Sequence, residues 1–180
     1  MKTRNKTLKR KIIQAIALPL ALISIIFAII LFSASDSLIN NYILPASKEN
    51  LELKMSNYNN LISSELVNKA KTDPVAYEEL QQITNDFQKG LNLENVYIMS
   101  KVNGEEVILV LGNTEEYLTP LAFTSEQTQA LTTDQLIVSD IYEDDYGKHL
   151  STFLQVPGTD SVLGLDTDAD FIDKMIKVLI

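Results

Sequence analysis

The sequence predicts an α+β protein: a membrane-spanning helix and a long helix, followed by a five-stranded antiparallel sheet with flanking helices. Three observations carry this. Residues 12–32 form a run of 21 residues without a charge. Between Asp36 and Gly90 the apolar residues recur at three- and four-residue steps, the period of an amphipathic helix. From Asn95 onward the pattern changes to short β-branched and aromatic runs separated by turn residues.

The first element is the apolar run, interrupted only by Gln14, Pro19 and Ser24. At about 1.5 Å per residue a helix of this length spans the roughly 30 Å hydrocarbon core of a bilayer. In lipid the backbone must satisfy its own hydrogen bonds, which leaves a helix as the single-segment solution. Lys2, Arg4, Lys6, Lys9, Arg10 and Lys11 precede the run and no acid does. Nine basic residues and all 24 acids follow it, a net charge of −15. The positive-inside bias therefore predicts a cytoplasmic N-terminal segment, 1–11, a transmembrane helix, 12–33, and an exported remainder. A cleaved secretory signal is the competing reading, with Ser33-Ala34-Ser35 as its cleavage site. The apolar core of a signal is usually about 7–15 residues, and the longer run here favours an anchor. The acidic exported part argues against nucleic acid or an anionic membrane surface as a partner. The chain has no Cys, which excludes disulfides, thiol catalysis and zinc–thiolate sites.

Residues 34–72 read as a membrane-proximal long helix. Leu38, Ile39, Tyr42 and Ile43 share one face, and Pro45 is expected to kink or break it. Beyond Ser47, Leu51, Met55, Tyr58, Ile62 and Leu66 form an apolar stripe that can be a coiled-coil seam or the back of a domain. Residues 73–180 form the exported domain. Asp73-Pro74 opens a helix, with Asp as cap and Pro in the first turn. Leu80, Ile83 and Phe87 supply its buried face, and Gly90 is expected to end it in a left-handed cap. Strands are expected over Asn95–Val102 and Glu105–Leu111, joined by the hairpin signal Asn103-Gly104. A polar loop with a short helix at Ser125–Leu131 follows. Three more strands are expected: Leu136–Tyr142, Gly147–Val156 and Ser161–Leu165. Thr167 is expected to cap a last helix through Phe171, Ile172, Met175, Ile176 and Leu179, with Asp168 and Asp170 at the positive end of its dipole.

The last third carries a resemblance. Ile137-Val138-Ser139-Asp140-Ile141-Tyr142 is followed by Asp145-Tyr146-Gly147-Lys148-His149, and after Pro157-Gly158 comes Val162-Leu163-Gly164-Leu165-Asp166-Thr167-Asp168. This order resembles the extracytoplasmic, PAS-like Cache sensor domain of bacterial methyl-accepting chemotaxis receptors and some sensor histidine kinases. The resemblance covers about Asp36 to Ile180 and rests on pattern and order. It implies a membrane-anchored small-molecule sensor of a chemotaxis receptor, binding an amino acid, organic acid or similar solute. It also implies a homodimer in the cell membrane. Such receptors continue into a second membrane helix and a cytoplasmic output module, whereas this sequence stops at Ile180 in mid-helix, as expected of a fragment or of a product lacking its output half. A histidine kinase sensor domain and an anchored PAS-like interaction module are the alternatives.

In this family the pocket lies between the sheet and the loop-helix segment covering it, and an Asp on the last strand takes an amine. The resemblance places Asp166 there. Asp140 and Tyr142 share strand parity, so both are expected to point the same way. Lys148 and His149, in the motif that follows, complete the candidate ligand-binding set. The amino-acid-binding members carry a carboxylate clamp of Arg or Trp in the segment matching Glu115–Thr133, and none is present. Asp166, Asp168 and Asp170 open like a calcium loop, but Phe171 stands where Gly is needed and Lys177 where Glu is needed, so no metal site is expected. No cofactor is expected, and no enzyme: the one His, His149, lacks any nucleophile elbow or phosphate loop around it.

Overall fold

The computed structural model describes residues 2–114, 116–144 and 147–170, and divides into two compact units that meet in the chain between Leu44 and Pro45. In the N-terminal unit, helix α1 (Lys2–Leu38) leads into a π-helical segment, Ile39–Ile43. The apolar side chains between Ile13 and Phe32 are exposed. The span Ile13–Leu61 is long and apolar enough to cross a membrane, by length and composition. The Ser24 hydroxyl donates back to the Leu20 carbonyl, 3.0 Å, so this hydroxyl is satisfied locally inside the apolar run.

Pro45, expected to kink or break the helix, does not end it. Helix α2 spans Leu44–Leu61 and contains it. Proline lacks an N–H and its ring clashes with the carbonyl four residues back, and the wider π turn just before it relieves both. The stripe expected to run on to Leu66 is divided. Ser63 starts helix α3 (Ser64–Ala70) by accepting the Leu66 N–H, 3.1 Å. Leu51, Met55, Tyr58 and Ile62 are buried within their own domain. The Tyr58 ring packs on Phe87, 4.8 Å between centroids, and its hydroxyl bonds Thr84 Oγ1 at 2.7 Å. Helix α4 (Pro74–Leu91) begins on the Asp73 cap, as its sequence predicts. Its left-handed cap is Asn92, φ 49°, and not Gly90, which lies within the last turn; Asn tolerates this conformation nearly as well as Gly.

The domain's sheet has seven strands in the order β3-β2-β1-β7-β6-β4, with β5 also on β6, and every pairing is antiparallel. They are β1 (Asn95–Val102), β2 (Glu105–Leu111), β3 (Thr119–Pro120), β4 (Ile137–Val138), β5 (Tyr142–Asp144), β6 (Gly147–Gln155) and β7 (Ser161–Asp168). The count exceeds five for two reasons. Thr119–Pro120 pairs briefly with β2. The expected strand Leu136–Tyr142 is split into β4 and β5, because the Ser139 hydroxyl accepts the Ser151 N–H, 3.0 Å, where a ladder carbonyl would otherwise serve. The β1–β2 hairpin turns on Asn103 (φ 54°) and Gly104 (φ 88°), the two positive φ angles of the turn its sequence signals.

Alternation gives the central strands two buried faces. Val96, Ile98, Leu163 and Leu165 are fully buried on one, and helices α2–α4 bury Leu51, Met55, Val67, Leu80 and Phe87. On the other, Ala130 of α5 (Ser125–Thr133) packs with Phe153 and Val162, flanked by Tyr97, Leu131 and Ile137. Thr167 does not cap a helix, because β6–β7 pairing continues past it to His149↔Asp168. Asp168 accepts the Asp170 N–H, 2.6 Å. The expected helix through Leu179 lies outside the described residues.

Candidate functional site

On the α5 face a polar row crosses the middle of the sheet. Register sets Asn95 of β1 beside Asp166 of β7, and Asp166 beside Ser151 of β6. Asp166 is 6% exposed. A buried carboxylate is costly unless it is bonded or paired. Here Asn95 Nδ2 donates to Oδ2 and the Tyr97 hydroxyl donates to Oδ1, both at 3.3 Å, and the Ser151 hydroxyl also bonds it. Burial pushes the Asp166 carboxyl above its ordinary range, while bonds from Ser151 and Asn95, the charge of His149 and the Tyr97 bond pull the other way. Among the described residues no Lys or Arg pairs with Asp166.

Gly164 explains how Tyr97 reaches this carboxylate. The two residues are opposite in register, and a Cβ at 164 would run into the Tyr97 ring. The glycine leaves the ring room to lie across β7 and point its hydroxyl at Asp166, two residues along. Burial and the nearby Asp166 charge hold the Tyr97 phenol well above its ordinary range. A second partner for the Tyr97 hydroxyl comes from α5. Gln127 closes the capping box with Thr124, donor and acceptor 2.9 and 3.2 Å apart in the two bonds, and its side chain also reaches the Tyr97 hydroxyl.

At the outer edge Tyr142 bonds Ser151 Oγ through its hydroxyl, 3.0 Å, and its ring lies 5.6 Å from the His149 ring. His149 is 2% exposed, and its Nδ1 is 2.8 Å from Glu94 Oε2. Beyond Tyr142 is a recess of about 340 Å³ lined by Thr124, Glu126, Ser139, Asp140, Ile141, Tyr142 and Phe153. Tyr142 thus has the recess on one side and the Ser151–Asp166 cluster on the other. A larger surface depression, at Gly104–Glu106 and Pro120–Ala122, shares no residue with this cluster.

Of the five residues singled out from sequence, the structure brings Tyr142, His149 and Asp166 together. Asp140 is outside any strand, with its side chain 98% exposed and paired to Lys48 Nζ at 3.0 Å, although its backbone region borders the recess. The parity expected to align it with Tyr142 fails because the strand breaks at Ser139. Lys148 is opposite Glu143 in register, and its carbonyl accepts the Ala169 N–H. Sequence reasoning missed Glu94, Asn95, Tyr97, Gln127 and Ser151. Asn95 and Tyr97 carried a signal, polar groups two apart in the otherwise apolar first half of β1, and Gln127 was legible only as a cap. The calcium-like run is divided, with Asp166 inside the cluster and Asp168 on a backbone N–H.

No protein-family model matches the sequence, and no curated protein does. Solved structures do match. The ligand-binding domain of the Campylobacter jejuni chemoreceptor Tlp3 in complex with 4-methylisoleucine is 15% identical and superposes with a TM-score of 0.54, over 81% of this chain and 58% of that one. The same domain with L-valine is 14% identical with a TM-score of 0.52, over 81% and 60%. This chain thus spans about 60% of the length of the solved domains it matches. The chain has the fold of these solved ligand-binding domains, in line with the α+β architecture expected from the sequence.

Proposed function

We propose that the chain is the membrane-anchored, extracytoplasmic sensor part of a chemotaxis receptor, with its N-terminal segment in the cytoplasm, and that it binds a small solute bearing an amine. The observation that carries this is Asp166: a buried carboxylate on the last strand, held by neutral donors and facing no Lys or Arg among the described residues. An ammonium group would complete its coordination, giving charge-assisted bonds that the neutral donors do not match. The solved domains of this fold with bound branched amino acids support a solute of that size. The ligand enters the recess and reaches Asp166 when Tyr142 leaves Ser151. Binding then favours the arrangement in which Tyr142 has moved, a population shift set by the difference in affinity between the two arrangements. Two copies would pair through the outer side of α2, where Leu53 and Leu61 are exposed.

The test is thermal unfolding of the full chain in detergent micelles with L-valine, L-isoleucine, ethanolamine and putrescine as probes. A probe at about 100 times its Kd adds about 2.7 kcal/mol, a rise of several degrees in Tm. The rise should vanish in Asp166→Asn. If every probe leaves Tm unchanged, or Asp166→Asn retains the full rise, the amine site is wrong.

A further inference from the structure

His149 is the only histidine in the chain, and it sits at the edge of the Asp166 cluster with Nδ1 2.8 Å from Glu94 Oε2. It lies on β6 two residues from Ser151, opposite Asp168 and therefore diagonal to Asp166 across the same strand pair. Among the described residues, the titratable groups around it are Glu94 from the turn before β1, Tyr142 from β5, and Asp166 and Asp168 from β7. Glu94 is in direct contact, 2.8 Å from Nδ1, and Asp166 feels the imidazole's charge across the strands. With the imidazole neutral, the cluster offers an incoming cation the full charge of Asp166 and Glu94. With it protonated, part of that field is already neutralised.

We propose that His149 and Glu94 form a proton-binding site coupled to Asp166, so that a proton on His149 and a positively charged ligand at Asp166 oppose one another. The ligand half rests on the amine reading above; the proton half does not. Because coupling between two binding events is reciprocal, a cation bound at Asp166 lowers the imidazole's proton affinity, and the site binds cations more weakly in acid. The device makes the response to the solute a function of external pH in the range where an imidazole titrates.

The experiment follows the imidazole itself. The full chain in detergent micelles, purified without a histidine tag and labelled with ¹³Cε1-histidine, gives one imidazole resonance to titrate. Glu94→Gln is expected to lower the titration midpoint by about one pH unit. Asp166→Asn is expected to lower it by less, but beyond fitting error. A midpoint that Asp166→Asn leaves in place overturns the coupling. Glu94 is partly exposed and Gln matches it in shape, so Glu94→Gln decides alone if Asp166→Asn does not fold: an unchanged midpoint then overturns the proposal. A midpoint that moves in both variants while the amine probes all fail removes the ligand reading and leaves the proton site standing.

Discussion

Replacing Gly164 by Ala tests the geometry on which the site depends. The added Cβ falls on the edge of the Tyr97 ring, which is partly buried and packed against the Ala130, Phe153 and Val162 cluster, so it can step aside only by giving up that packing. Overpacking of this kind costs about 1–3 kcal/mol. For a domain of this size that is a fall in Tm of about 3–5 °C per kcal/mol. The Tyr97 hydroxyl must also leave Asp166, so the amine response should weaken along with stability. A double-mutant cycle separates the clash from any intrinsic effect of Ala on the strand. Tyr97→Ala alone should cost less than the about 3–5 kcal/mol of a fully buried aromatic truncation, because the ring is partly buried. In that background Gly164→Ala should cost almost nothing, because the atom it would strike is gone. Thermal unfolding by circular dichroism in micelles measures all four proteins. Equal stability of Gly164→Ala and the parent, or additivity in the cycle, would refute the claim that the glycine exists to seat Tyr97.

Two further outcomes follow from the packing and the charges. Thr84→Val should destabilise more than Tyr58→Phe. The first leaves the buried Tyr58 hydroxyl without its partner, a cost of about 1–3 kcal/mol, whereas after the second Thr84 still donates to the Leu80 carbonyl at 2.8 Å, a loss of about 0.5–1.5 kcal/mol; denaturant titration of both variants checks the order. The pH dependence of stability should carry opposite signs at two acids. Asp166 has its folded value raised above 3.8 by burial, so its contribution is present below pH 3.8 and is lost as pH rises through the folded value. Glu106, held below 4.5 chiefly by the Phe123 N–H, contributes above pH 4.5 and loses its contribution as pH falls. Subtracting the Tm–pH profile of Asp166→Asn from the parent's should therefore give a difference that declines with rising pH, and Glu106→Gln a difference that grows; the same sign in both would contradict the assignment.

The helices and long strands were legible because their signals are local. Asp73-Pro74, Asn103-Gly104 and the period change at Asn95 each act within a few residues, and β1 and β2 fall where those signals place them. What was not legible depends on partners distant in sequence. The break at Ser139 needs Ser151 to be opposite it. Thr167 reads as a cap until β6 is seen to pair beyond it. The site shows the same division. Asp166 was found through a motif, but the donors around it come from positions about 15 to 70 residues away, brought together by register alone.

Strand β7 places Gly164 and Asp166 on the face of the polar cluster and Leu163 and Leu165 on the face of the apolar core, in strict alternation. This has a consequence for how the chain can change over generations. Replacing Asp166 alters the chemistry of the cluster while its neighbours in sequence go on packing against other residues. The chemistry of the cluster and foldability are thus inherited on interleaved positions of one strand, and the first can drift while selection for the second holds.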